Sequence, residues 1–147
     1  MTVDIETAIT IDRPVAEVYD FAADPTNAPS WYVNIERATW ETDVGLGVGA
    51  KATFAARFLG RRLEYTYEII ELEPGRRLVM RTTQGPFPMA TSYGWTAEGA
   101  GRTRMTLRNH GDPAGFSVLV APLMAPAMRR ANRKDLAKLK ALLEGRD

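Results

Sequence analysis

Arg62-Leu63-Glu64-Tyr65-Thr66-Tyr67-Glu68-Ile69-Ile70-Glu71-Leu72, then Glu73-Pro74-Gly75, then Arg77-Leu78-Val79-Met80-Arg81-Thr82-Thr83, is the stretch that decides the fold class. Successive side chains of a strand point to opposite faces, so parity sorts them. Leu63, Tyr65, Tyr67 and Ile69 share one face, and Arg62, Glu64 and Glu68 share the other. Beyond the turn, Leu78, Met80 and Thr82 fall on one side, with Arg77 and Arg81 opposite. Proline and glycine suit the tight turn between them. The reading is an antiparallel hairpin with one apolar face. Glu71 has apolar-side parity but adjoins the turn, where a bulge would re-aim it.

The same rhythm extends both ways. Towards the N-terminus, Lys51 to Leu59 is a strand with Phe54, Ala56 and Phe58 inward and Lys51 and Arg57 outward, turning at Gly60-Arg61. Ile35 to Thr42 is another. The glycines of Gly45-Leu46-Gly47-Val48-Gly49 connect these two. A phosphate loop would need a helix after the glycines, and a strand follows instead. Towards the C-terminus, Gln84-Gly85-Pro86 leads into a strand from about Phe87 to Ala97, grouping Phe87, Met89, Thr91, Tyr93 and Trp95. Glu98-Gly99-Ala100-Gly101 turns into Thr103 to His110, with Met105, Leu107 and Asn109 inward and Arg104, Arg108 and His110 outward. Short strands with turns at this spacing imply one antiparallel meander.

The flanks are different. Val3, Ile5, Ala8, Ile9 and Ile11 give a first strand with one irregularity. Arg13-Pro14 opens a helix through Ala23, since proline is tolerated in a first turn. Asp24-Pro25 stops it, and Asn27 to Trp31 reads as a second short helix or turn. Asp112-Pro113 offers an N-cap followed by proline, and a long helix is expected to about Glu144, ended by Gly145. Its apolar stripe runs Phe116, Val120, Leu123, Met124, Met128, Leu136, Leu139 and Leu143, with Asn132 between. Pro122 and Pro126 predict a kink or break between Ala121 and Ala127.

The 147 residues suit one domain, taken as 1–147. The chain has no cysteine, which removes disulfides, thiolate metal sites and cysteine nucleophiles. Residues 1–6 lack the basic and apolar regions of a secretory signal, and no apolar run reaches the length of a membrane span. A cytoplasmic protein without stable membrane insertion is expected. Net charge is +1 but uneven, with nine acids against Arg13 and Arg37 in residues 1–50 and seven bases against three acids from Ala127 onward. Cations near a helix C-terminus offset the macrodipole, and outward bases on the fourth strand alternate with acids. Nucleic-acid binding is not expected.

The apolar sheet face has one large amphipathic helix to cover it, so the sheet must curve. Its residues are rich in Tyr, Trp, Met, Thr and Asn rather than in aliphatics alone. Two readings follow: a solid core whose hydroxyls are paired, or a pocket of apolar bodies with a few polar tips.

The order of elements resembles the START/polyketide-cyclase superfamily (SRPBCC type), over essentially the whole chain. The motifs that carry it are Ile9-Thr10-Ile11-Asp12-Arg13-Pro14 with Val18 and Phe21, Asp24-Pro25, Trp31, and Glu71 to Leu78. Gly101 to Thr106 and Leu136 to Lys140 with Leu143-Glu144 complete the set. The resemblance implies an α+β helix-grip fold: a seven-stranded curved antiparallel sheet wrapped around a long C-terminal helix, with two short helices between strands one and two. It also implies a cavity between sheet and helix for lipids, sterols, polyketides or hormones. No catalytic pattern transfers with it, because superfamily members include binders, transporters, cyclases and partner-binding modules.

The residues expected to line such a cavity are Trp31, Tyr32, Phe54, Phe58, Tyr65, Tyr67, Met80, Met89, Thr91, Tyr93, Met105 and Asn109 from the short helices and sheet. Phe116, Val120, Met124, Met128 and Asn132 join them from the terminal helix. Trp31 and Tyr32 are placed at its mouth. Acid–base chemistry needs a titratable group facing the substrate, and parity turns Glu64, Glu68 and His110 outward. No His/Asp/Glu cluster has metal-ligand spacing, and no cofactor is expected. Binding of a small apolar ligand is the first reading. A polyketide cyclase or dehydratase-like enzyme is the second, and an inward carboxylate or histidine would favour it. A protein-interaction module is the third.

Overall fold

The alternation read from the sequence becomes a single antiparallel sheet. A computed structural model describes residues 3–58, 60–112 and 121–145. The strands are β1 (Val3–Ile11), β2 (Ile35–Trp40), β3 (Lys51–Phe58), β4 (Arg61–Glu73), β5 (Arg77–Gln84), β6 (Met89–Ala97) and β7 (Thr103–Gly111). Their order in the sheet is β1-β7-β6-β5-β4-β3-β2. β2 to β7 form the meander, and β1 joins at the far side, where Val3 faces Gly111 and Ile11 faces Thr103. Between β1 and β2 lie α1 (Val15–Ala22), a 3-10 turn at Pro25–Asn27 and α2 (Ala28–Trp31). The Asp24 carboxylate accepts from the Thr26 N–H and so caps that turn. α3 (Met124–Glu144) crosses the concave face.

Two details differ from the sequence reading. β1 has no irregularity: Val3, Ile5, Thr7 and Ile11 are buried and Ile9 is half-buried, so its odd positions face in throughout. Ala8 was the misleading residue, because a small apolar side chain sits equally well on an outer face. The break expected near Pro122 and Pro126 is a 3-10 turn at Ala121–Leu123 that runs into α3. Pro126 is the third residue of α3, where a backbone N–H has no intrahelical partner to lose. Of the expected helix start, Asp112 ends a described segment, and Pro113 onward, with Phe116 and Val120, lies outside the described residues.

The bulge anticipated at Glu71 is present. Pairing of β4 with β5 shifts between Ile69 and Glu71. Leu72 then packs on the core and Glu71 is exposed, 3.2 Å from the Arg77 guanidinium. α3 buries Met124, Met128, Asn132, Asp135, Leu136, Leu139 and Leu143. Its last turn is pinned to the corner after β1. The Asp12 N–H donates to the Glu144 carboxylate (2.8 Å), Arg13 donates to the Glu144 backbone oxygen (2.8 Å), and Lys140 donates to the Thr10 carbonyl (2.9 Å).

The buried side chains form two clusters. The larger joins Ile11, Val18, Trp31, Tyr93, Trp95, Leu107, Leu136, Leu139 and Leu143. The smaller joins Val3, Ile5, Phe87, Met124 and Met128. The candidate site lies between them.

Candidate functional site

Strands β3 to β7 bring inward residues to one cavity of about 110 Å³ under the sheet. β3 supplies Phe54, Ala56 and Phe58, β4 supplies Leu63, Tyr65 and Tyr67, and β5 supplies Met80 and Thr82. Pro86 and Phe87 come from the following turn, Met89, Thr91 and Tyr93 from β6, and Asn109 from β7. The floor is α3, through Met128, Ala131, Asn132 and Asp135, and the segment after α2 adds Tyr32, Asn34 and Ile35. Members of both core clusters line the space, which is where the two fail to meet.

Thirteen of the positions expected from the sequence meet here: Tyr32, Phe54, Phe58, Tyr65, Tyr67, Met80, Met89, Thr91, Tyr93, Asn109, Met128 and Asn132 on the wall, with Trp31 directly behind. Trp31 is fully buried, its ring 4.2 Å from Tyr32 and 5.8 Å from Tyr93, so it backs the wall rather than forming a mouth. Met105 and Met124 are also fully buried but do not reach the cavity. Met105 sits opposite Ile9 near the distant end of β7, and Met124 fills the smaller cluster.

The polar groups divide into committed and free. Thr91 Oγ1 lies 2.5 Å from the Asn109 side-chain oxygen, which can only accept, so the threonine proton is committed there. The Tyr67 hydroxyl, 2.7 Å from Thr91 Oγ1, must therefore donate to it. All three residues are buried. Thr91→Val keeps the shape and leaves the tyrosine proton and the amide oxygen unpaired. Urea unfolding is expected to show a loss of at least about 2 kcal/mol, since each of the two orphaned buried groups costs about 1–3 kcal/mol. The Tyr32 and Tyr93 hydroxyls are 2.5 Å apart. One donates, and the acceptor of the pair keeps its own proton for another partner.

Burial keeps these phenols neutral. It pushes Tyr67 up to about 12 and Tyr32, Tyr65 and Tyr93 well above the ordinary tyrosine value. They are hydrogen-bond donors at any physiological pH.

Asp135 is a cavity residue absent from the sequence expectation. It is 3% exposed, lines the cavity, and accepts from the Val33 N–H at 2.8 Å. Burial pushes its carboxyl up to about 7, against the pull of the Val33 N–H and of Lys138. The signal was available. Asp135 lies three residues after Asn132 and seven after Met128, which puts it on the same helical face. The run Arg133-Lys134-Asp135 disguised it as a solvated stretch. His110, the sole histidine, lies on the outer side opposite Asp4 and Ala90.

A family model described as polyketide cyclase / dehydrase and lipid transport matches residues 2–144. The chain belongs to this family. No curated protein sequence matches it. Solved structures of polyketide cyclase-like shape show how far the fold is shared. The Zhui aromatase/cyclase from Streptomyces sp. R1128 superposes with a TM-score of 0.82 at 16% identity, over 98% of this chain and 94% of that one. A START superfamily protein from Mycobacterium smegmatis gives 0.83 at 10% identity, over 97% of each chain. Major latex-like protein 151 from Panax ginseng gives 0.74 at 10% identity, over 95% of this chain and 96% of that one. The architecture is thus the helix-grip fold of the START and polyketide-cyclase proteins. No described helix is long and apolar enough to cross a membrane.

Proposed function

We propose that the cavity binds a small, largely apolar molecule, held by aromatic and methionine side chains and oriented by a few neutral donors. The observation that carries this reading is the wall itself. Phe54, Tyr65 and Tyr67 form a mutual ring cluster, with centroids 5.3–5.8 Å apart, around a space that the core leaves open. The family's description, with its cyclases and lipid transport, supports it.

The test is thermal unfolding against fatty acids, sterols, flavonoids and aromatic polyketides, with mass spectrometry of co-purified material. A ligand at a hundred times its dissociation constant adds ~2.7 kcal/mol, a rise on the order of 5–10 °C for a chain of this size. Ala131→Phe, which fills the cavity from α3, is expected to remove that rise. No rise with any compound, and nothing co-purified, favours the protein-interaction reading instead.

Asp135 favours a second reading, an enzyme of the cyclase or dehydratase type. A carboxyl that titrates near neutrality is suited to proton transfer in both directions. As carboxylate it takes a proton from a carbon beside a carbonyl. As acid it gives that proton to a departing β-hydroxyl, which leaves as water while the carbon–hydrogen electron pair becomes the new double bond.

A further inference from the structure

Asn132 stands on α3 between Met128 and Leu136, at a position where leucine would serve both helix and core better. It is 4% exposed and lines the cavity. Its Nδ2 has no hydrogen-bond partner among the described residues. Buried side-chain donors are nearly always paired, and an unpaired one is costly enough to need a reason.

The reason comes from what faces it. The Tyr67 and Thr91 protons and the Asn109 side-chain oxygen are committed to one another in the relay described above. The groups with protons left to give are the Asn132 amide, the Asn109 side-chain nitrogen and one hydroxyl of the Tyr32–Tyr93 pair, and of these the Asn132 Nδ2 is the one buried without a partner among the described residues. The neutral Tyr65 phenol lines the same wall. An apolar space with surplus donors recognises an acceptor. A carboxylate or phosphate is a poor fit, because Asp135 shares the floor one turn away and the one lining cation among the described residues, Arg57, is paired with Glu36 at 2.9 Å. A neutral acceptor fits.

We propose that Asn132 is the specificity-determining residue of the cavity, its Nδ2 binding the carbonyl oxygen of an otherwise apolar ligand, so that the site selects ketones over hydrocarbons of the same shape. This rests on the binding reading above and narrows its ligand class.

The probes are α-tetralone and tetralin, two bicycles that differ by a carbonyl in place of a methylene. Affinities of both are measured by titration calorimetry for the native chain and for Asn132→Leu, with Asn132→Met as a second volume-matched variant should the first fail to fold. The ratio of tetralone to tetralin affinity is expected to fall about tenfold in the variant, the equivalent of ~1.4 kcal/mol. Tetralin itself is expected to bind the variant at least as tightly. The carbonyl stretch of bound tetralone is expected to lie at lower frequency in the native complex than in the variant. If both compounds bind and neither the ratio nor the stretch changes, the role of Asn132 is overturned while the cavity reading stands. If neither compound binds the native chain, the proposal for Asn132 is overturned, and the binding reading is decided by the wider panel above.

Discussion

Asp135→Asn is expected to make the protein more stable at pH 8 while changing it little at pH 4. The sign follows from the direction of the shift. The carboxyl has an ordinary value of 3.8 and is raised to about 7 in the folded chain. Between those values the folded state holds a proton that the unfolded chain has released, so stability falls as pH rises. It is full below the lower value and reaches its floor above the upper one. Three units correspond to about 4 kcal/mol as a ceiling. Asparagine carries no charge to desolvate, and its oxygen can still accept from the Val33 N–H. Asp4 is held low by its hydrogen bond to Arg108, and Glu144 by the Asp12 N–H. Both act in the opposite sense at lower pH, so the informative quantity is the difference between native and variant. Urea unfolding at pH 4.5 and 8 measures it, and a difference independent of pH would refute the buried, neutral acid. On the enzyme reading the same substitution also lowers turnover by at least about a hundredfold.

The second large effect is at Trp31. Its ring is fully buried under the Tyr32–Tyr93 pair. Trp31→Ala is expected to lose about 3–5 kcal/mol, the range for removing a large aromatic from a core. Trp31→Phe is expected to lose much less, because the indole N–H it deletes has no hydrogen-bond partner among the described residues. Chemical denaturation of both variants separates the two contributions. Equal losses would mean that the indole edge, and not the volume, is what the core needs.

Much of this architecture was legible because half-buried strands repeat every two residues. The parity of Phe54, Tyr65, Tyr67, Met80, Thr91, Tyr93 and Asn109 places all seven on one wall without any knowledge of the pairing. Even the re-aiming of Glu71 could be anticipated, since a bulge beside a turn shifts parity by one. Depth was harder to read than direction. Met105 and Met124 face inward yet sit in solid core, because neither a strand's period nor a helix's says where along its length the core stops filling the space. Asp135 was hidden by its neighbours' charges: helical position put it inside, while local composition suggested water.

The pairing of β1 with β7 has a consequence for how the molecule is made. Val3 meets Gly111 and Ile11 meets Thr103, so of the seven strands of this sheet the first to be synthesised pairs with the last. At about 5–20 residues per second a ribosome needs on the order of 5–20 s to cover that interval. Through it Val3, Ile5 and Ile11, all buried in the finished fold, have no sheet to join. Closing such a distant contact is also the entropically slow kind of step. The nascent chain therefore carries an unprotected sticky strand until the last hairpin emerges, and β1 is the segment for which a chaperone or a neighbouring nascent chain competes.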